Sequence, residues 1–129
     1  MDIQLIIKGK LPSLNEYIKR VNNNRFGGNN FKKETELNIR LQVLRQIREK
    51  GIVEHLPLKK QANFEFTYVE VNKKRDKDNI ASSKKFLFDA LAQSGVIQDD
   101  GWRWVGSFKE DFIIGDENMV IIKIKEKEN

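Results

Sequence analysis

Two aspartates stand two residues apart in the basic segment "KKRDKDN", Lys73–Asn79. In an extended chain, side chains at positions i and i+2 point to the same side, so the carboxylates of Asp76 and Asp78 can face one site. Carboxylate oxygens are the ligands that hard divalent cations such as Mg²⁺ or Mn²⁺ prefer. The lysines and arginine around them favour a polyanion. The segment therefore predicts a metal ion held against phosphates.

A polar stripe continues from Asp78 along the helix that we expect to follow. Offsets of four, seven and eleven residues reach Ser82, Lys85 and Asp89, and at helical spacing these positions share one face. The pattern places Lys85 beside Asp89, one turn apart. A lysine on this stripe could stabilise the charge that develops on a phosphate or a leaving oxygen.

A third carboxylate is available in "GVIQDDGW", Gly95–Trp102. If the chain returns in extended form along the helix, Asp100 joins Asp76 and Asp78 in a three-carboxylate cage. Such a cage binds Mg²⁺, which orients a water molecule, lowers its pKa and neutralises charge on a scissile phosphate. The distance to be covered makes the return tight, because six extended residues span only about 20 Å.

Each of these acids also has an ordinary structural explanation. Asp78 or Asn79 is a suitable N-cap for a helix. Lys85 and Asp89 form the kind of exposed pair that is common and weak. The sequence Asp99–Gly101 is typical of a turn. A cap explains one acid, however, and leaves the second unexplained.

The basic residues around the aspartates give the segment a second role. The chain contains 24 Lys and Arg against 19 Asp and Glu, a formal charge of +5, which favours nucleic acid as a partner. Acids that hold a metal and bases that hold the backbone must then occur at one place. The residues predicted to contact DNA phosphates here are Lys73, Lys74, Arg75, Lys77 and Lys84.

Composition excludes several other chemistries. The chain has no cysteine and a single histidine, His55, so disulfides, zinc–thiolate sites, thiol catalysis and histidine-rich metal sites are out. The apolar run at the N-terminus is too short for a signal peptide or a membrane span. We therefore expect a cytoplasmic protein without a membrane partner.

Hydrophobic spacing predicts one α+β domain over residues 1–129, with the order β-α-β-α-β-β and a mixed sheet packed by two helices. The helices are expected over residues 33–50, with Leu37, Leu41, Leu44 and Ile47 on its apolar stripe, and 80–94. The strands are expected to begin near Ile3 and to cover residues 63–71, 104–114 and 118–126. The asparagine-rich stretch 22–30 is expected to be a mobile loop.

The central block resembles a known family. "RDKDN…K…DAL…GVIQDDGW" is similar to the pattern of the RusA-type Holliday junction resolvases, and "LPSLNEY" resembles the turn after their first strand. The resemblance implies a magnesium-dependent homodimeric endodeoxyribonuclease that cuts opposed strands of a four-way DNA junction. Such an enzyme would serve DNA recombination and repair, or phage DNA processing.

Carried over by position, the resemblance assigns the essential carboxylates to Asp76, Asp78 and Asp100. It assigns the catalytic lysine to Lys85, four residues before the aspartate of "DAL", although Lys84 lies closer to the asparagine of "RDKDN". It gives supporting roles to Asn79, Asp89 and Asp99. Arg25, with Phe26, is the expected DNA contact of the asparagine-rich loop.

Two other classes of function remain open from the sequence. A non-catalytic protein that binds branched DNA would use the same basic residues, with the acids as caps and turns. An interaction protein with a charged surface also fits the composition but leaves the ordered acidic block unexplained. The aspartates favour the nuclease, because each acid in a purely binding surface would repel phosphate.

Overall fold

Alternation of apolar and polar residues builds a four-stranded sheet, as expected from the sequence. The computed structural model describes residues 1–128, without the side chains of residues 25 and 26. The strands are β1 (Asp2–Lys8), β2 (Ala62–Glu70), β3 (Val105–Ile114) and β4 (Met119–Glu126). Their order across the sheet is β1-β4-β2-β3, in which β2 and β3 run parallel and the other pairs antiparallel.

Helices cover one face of this sheet. They are α1 (Leu14–Asn23), α2 (Arg25–Glu49), α3 (Lys77–Ala81) and α4 (Lys84–Gln93), and a short 3₁₀ turn spans Val53–His55. The core lies between this face and the helices. Its members include Leu5, Ile7, Ile39, Val43, Phe64, Phe66, Tyr68, Leu87, Leu91 and Ile122. The prediction of one α+β domain with a mixed sheet is confirmed. The helix predicted over residues 33–50 lies within α2, the one predicted over residues 80–94 is divided into α3 and α4, and α1 was not predicted.

The asparagine-rich stretch is helical, so the prediction of a mobile loop over residues 22–30 is wrong. Asn24 interrupts the helices and serves both of them. Its N–H donates to the Arg20 carbonyl at the end of α1, and its Oδ1 accepts from the Gly27 N–H at the start of α2. A Cβ at Gly28 would lie 2.5 Å from Val21 Cγ2, so glycine allows the two helices to approach closely. Capping and close packing thus replace the missing helix propensity.

The apolar stripe of α2 differs from the one that spacing predicted. Ile39, Val43 and Ile47 are buried, whereas Leu37 and Leu41 are 49% and 58% exposed. Both sets have helical spacing, and only the position of the sheet decides between them.

The outer edge of β1 is covered by two glutamines of α2. Gln46 Nε2 donates to the Ile6 carbonyl (2.7 Å) while its Oε1 accepts from the Ile6 N–H (2.8 Å). Gln42 forms the same pair of bonds with the backbone of Lys8, at 3.0 and 2.7 Å. The side-chain amides therefore occupy the place of a neighbouring strand, which satisfies an edge that would otherwise be open.

The four helices of residues 1–128 are either too short or too polar to cross a membrane.

Candidate active site

The aspartate pair lies where the chain enters α3. Asp76 occupies the N-cap position with an extended backbone, φ −69° and ψ 153°, but its side chain makes no capping bond. Asp78 lies in the first turn, where its Oδ1 accepts from the Asn79 N–H at 3.0 Å. The prediction that Asp78 or Asn79 caps the helix is therefore wrong. Within residues 1–128 neither Asp76 nor Asp78 forms an ion pair, so both exposed carboxylates are available to a ligand.

These acids border a groove along β3, which we call the β3 groove. It consists of three neighbouring depressions, lined by Phe108, by Glu110 with Phe112, and by Phe112 to Ile114. Asp76 lines the third and Asp78 the second, and these two depressions share Lys77 and Phe112.

The turn after β1 fixes the position of α3. Ser13 is fully buried and caps α1, its Oγ accepting from the Glu16 N–H at 3.1 Å. The next residue, Leu14, donates its N–H to Ser82 Oγ at 2.9 Å, and Ser82 Oγ donates to the Asn79 carbonyl at 2.6 Å. The "LPSLNEY" turn is thus bonded to the end of α3.

The polar stripe that the sequence predicted from Asp78 to Asp89 is not continuous, because the helix is interrupted at Ser82 and Ser83. Ser82 and Ser83 lie in a turn between α3 and α4, and Ser83 Oγ donates to the Ile80 carbonyl instead of capping α4. Lys85 and Asp89 remain neighbours on α4, while Asp78 belongs to a separate helix.

Asp100 returns along α4 and reaches its first turn, where it meets Lys85. Lys85 Nζ lies 3.0 Å from Asp89 Oδ1 and 3.3 Å from Asp100 Oδ2. Hydrogen bonding to Asp89, reinforced by Asp100, raises the pKa of the Lys85 ammonium and keeps it charged. Lys85 therefore joins two predicted acids, at the end of the β3 groove beside Phe108.

The residues next to Asp100 form the turn that the sequence indicated. Asp99 Oδ1 accepts from the Gly101 N–H at 2.7 Å, which is a structural role. Trp102 follows in the turn and is 95% exposed, and β3 begins only at Val105.

The three predicted metal ligands lie in three different depressions of the β3 groove. Four residues of β3, about 13 Å, separate Phe108 beside Asp100 from Phe112 beside Asp76. Within residues 1–128, no group of three or more acidic or histidine side chains is close enough to hold a metal ion. Asp76 and Asp78 offer the hard oxygen donors that Mg²⁺ prefers, and Asp100 is engaged by Lys85.

A partly buried chain of polar side chains beside the groove was not predicted. Lys84 Nζ lies 2.7 Å from Glu110 Oε1 and 4.5 Å above the Phe108 ring, and the Tyr68 hydroxyl donates to Glu110 Oε2 at 2.9 Å. Burial, and then the Glu110 charge, raise the pKa of Tyr68, which keeps this hydroxyl a donor. The signal that could have identified Glu110 is the sequence "FKEDF", in which an acid stands two residues from each of two phenylalanines.

The predicted phosphate contacts fall into four groups. Lys73, Lys74 and Lys77 are exposed, and Lys77 lies over the Phe112 ring at 5.7 Å. Arg75 is committed to the fold, because it forms two bonds to Glu70, at 3.0 and 3.1 Å, and one to the Leu11 carbonyl. Lys84 is paired with Glu110, and the side chain of Arg25 lies outside the described residues.

Comparison with known proteins adds no family to this geometry: no protein-family model matches the chain, and no curated protein matches it either.

Proposed function

We propose that this protein is a magnesium-dependent, structure-selective endodeoxyribonuclease that resolves four-way DNA junctions by paired phosphodiester hydrolysis. The observation that carries the proposal is the composition of the β3 groove. Two exposed carboxylates, Asp76 and Asp78, form no ion pair in the part of the chain that the structure describes, and they lie among the exposed lysines Lys73 and Lys77. A surface that only bound phosphate would be weakened by both acids.

Asp76 and Asp78 would hold the ion. The resemblance implies Asp100 as a third ligand, which would require Asp100 to leave Lys85 and to approach the pair. When bound, Mg²⁺ would supply an activated water and neutralise charge on the scissile phosphate. The chain's own residues do the rest. Exposed lysines at the rim orient the phosphate backbone by charge, and Lys85, kept protonated by Asp89 and Asp100, is the proposed catalytic lysine.

The substrate class follows from the resemblance described above. Resolution of a four-way junction requires two opposed cuts, so we propose that the protein acts as a homodimer on branched DNA. Mn²⁺ is expected to replace Mg²⁺, since both take oxygen ligands.

A second function is favoured by one specific observation. Asp100 is bonded to Lys85, and the three acids stand apart along the groove. This arrangement suits a non-catalytic protein that binds branched DNA, in which Asp99 and Asp100 shape a turn and the lysines contact phosphates.

The deciding experiment is cleavage of a labelled synthetic four-way junction, with Mg²⁺ and with EDTA, against linear duplex of the same sequence. We expect symmetric cuts that need the metal and spare the duplex. Asp76→Asn and Asp100→Asn should lower the cleavage rate by about a hundredfold or more while binding of the junction is kept or tightened, because a charge that repels phosphate is removed.

Asp2→Asn is the matched control, since Asp2 is an exposed acid on β1, remote in the sheet order from β3. Tight junction binding by the wild type with no cleavage would support the binding protein instead. Equal loss of binding and cleavage in both variants would count against a metal-holding role.

A further inference from the structure

One aromatic side chain of the turn before β3 stands free of the protein. Trp102 is 95% exposed, against 58% for Leu41, the next most exposed large apolar side chain among those that the structure describes. Tryptophan is one of the side chains that bury the most area when they pack. An indole that the fold leaves in water is therefore available for another molecule to cover.

The backbone that carries this indole is fixed. The Gly101 carbonyl accepts from the N–H groups of Trp104 (3.1 Å) and Val105 (3.0 Å), which closes the turn. The Trp102 carbonyl accepts from Gln61 Nε2 at 2.7 Å, which ties the turn to the residue before β2. The exposed position of the ring is thus set by hydrogen bonds of its own turn. A ligand of the ring does not have to order the backbone before it binds.

Trp102 also borders the candidate active site. It lines one depression with Asp100, Gly106 and Phe108, at the end of the β3 groove. The Cα atoms of Asp100 and Trp102 are at most about 7 Å apart, because a single residue separates them. Asp100 Oδ2 in turn lies 3.3 Å from Lys85 Nζ. A molecule seated on the indole is therefore close to the proposed catalytic lysine.

Two further cations lie beside this turn. Arg103 follows the exposed indole, and its guanidinium lies 5.0 Å from the centre of the Trp104 ring. Lys127 Nζ donates to Gln61 Oε1, on the same side chain whose Nε2 holds the Trp102 carbonyl. Aromatic rings set among cations are how proteins bind unpaired nucleic acid, with bases stacked on the rings and phosphates held by the cations.

The other aromatic rings near this depression are less open. Lys84 Nζ lies 4.5 Å from the centre of the Phe108 ring, and Arg103 lies over Trp104, which is half-buried. At 95% exposure, the indole of Trp102 keeps both of its faces in water. Trp102 is therefore the ring of this group on which a further planar group can stack.

We propose that Trp102 stacks on a nucleobase exposed at the branch point of the DNA, so that this side chain favours branched over linear DNA. The inference rests on the proposed function, in which branched DNA is the substrate. Inside a linear duplex every base pair is stacked on both faces. Where four arms diverge, the last base pair of each arm loses one stacking neighbour, and an indole takes that place because every base has a π face.

The first measurement uses the fluorescence of Trp102 itself. The chain contains two tryptophans, so Trp104→Phe leaves Trp102 as its single indole. In EDTA, which separates binding from cleavage, a synthetic four-way junction should quench this fluorescence at least about twofold, because a stacked base quenches the indole. Linear duplex with the sequence of the arms should change the fluorescence little at saturation.

The second measurement is the affinity for the same two DNA molecules in EDTA. Trp102→Ala should raise the Kd for the junction about tenfold through loss of one stacked base. The Kd for linear duplex should change less than about twofold, since the phosphate contacts remain. Trp102→Phe should keep most of the affinity for the junction, because a phenyl ring also stacks on a base.

Leu41→Ala is the matched control, since it removes an exposed apolar side chain from α2 and should change neither Kd. Circular dichroism and thermal unfolding check that each variant is folded. Stability close to that of the wild type is expected for both alanine variants, because neither side chain is buried.

Four outcomes would overturn the proposal. Junction binding that leaves the fluorescence of Trp102 and the Kd of Trp102→Ala unchanged rejects the stacking role while the proposed function stands. Equal quenching by junction and duplex, with equal loss of affinity, rejects selection of the branch point. A wild type that binds neither DNA rejects the proposed function as well. Shielding of Trp102 from acrylamide as the protein concentration rises without DNA assigns the indole to a contact between proteins.

Discussion

The two edges of the sheet are treated in opposite ways. At β1, Gln42 and Gln46 of α2 bond the backbone of Lys8 and Ile6 as a further strand would. At β3, no group in the described part of the chain covers the backbone of Phe108–Phe112, and charged and aromatic side chains line the groove beside it. One edge is closed by side chains of the chain itself, and the other is the exposed outer strand of the sheet.

This difference leaves one edge of the sheet accessible to other molecules. Open edges promote aggregation, and proteins usually cover them. Two side chains of a long helix close the β1 edge, so covering an edge is possible in this fold. The exposed β3 edge is therefore a distinctive feature of the molecule. The exposed aspartates and lysines that the sequence singled out lie along the open edge and not along the closed one.

The largest expected effect separates the two lysines of the open edge. Lys85→Met should lower the rate of junction cleavage about a hundredfold with little change in stability, because its side chain is 59% exposed and its ion pairs contribute little to folding. Lys84→Met leaves the Glu110 carboxylate partly buried without its cation and should cost about 1–3 kcal/mol of unfolding free energy.

Urea unfolding and the junction assay on both variants make this comparison. If Lys84→Met abolishes cleavage at a temperature where it is folded, and Lys85→Met cleaves normally, the catalytic assignment moves to Lys84.

The next effect concerns the closed edge. Gln46→Leu removes both bonds to Ile6 and leaves a part-buried N–H and carbonyl unpaired, so we expect a loss of about 2–3 kcal/mol in the free energy of unfolding. Thermal and urea unfolding measure this. Gln98→Leu, at an exposed position, is the control and should change stability by less than about 0.5 kcal/mol.

Equal stability of the Gln46 and Gln98 variants would show that the glutamine cap is not what closes β1. Sedimentation of Gln46→Leu adds a second readout, because an uncovered β1 edge should increase self-association.

The smallest effect lies at the end of the sheet beside β1. Glu126 accepts from the N–H groups of Lys59 and Lys60 at 2.8 and 3.0 Å and lies 3.5 Å from the N-terminal amine. Burial alone would raise the pKa of this carboxyl, but these donors lower it below its usual value. A folded-state pKa below the unfolded one adds stability above the unfolded pKa, and that stability is lost as the pH falls through the folded pKa.

Glu126→Gln should therefore cost about 1 kcal/mol at pH 7 and progressively less as the pH falls below 4.5. Unfolding of both proteins between pH 3 and 7 tests this sign, at about those limits. Glu128→Gln, an exposed neighbour, is the control, and a difference between wild type and Glu126→Gln that stays constant over this range would contradict the assignment.

The sequence determined the elements whose signals are local. Alternation in "DIQLIIK" and "MVIIKIKE" predicted β1 and β4, and the aspartates, lysines and glycines of Lys73–Trp102 predicted a charged site with a turn and a return. These features depend on neighbours one to four residues away, where propensity and periodicity act. The resemblance to the resolvases rests on the same short-range motifs.

Tertiary structure decided the features that depend on contacts between residues distant in the sequence. It selected Ile39 and Val43 over Leu37 and Leu41 for the core. It turned the asparagine-rich stretch into helix through the Asn24 bonds and the contact of Gly28 with Val21.

It also assigned Lys84 to Glu110 and Lys85 to Asp100, although the two lysines are adjacent in sequence. Adjacent residues on a helix point about 100° apart, so the strand behind one and the turn beside the other give them different partners. The closed β1 edge and the open β3 edge have the same origin, because which strands lie outermost is a property of the sheet order and of no single segment.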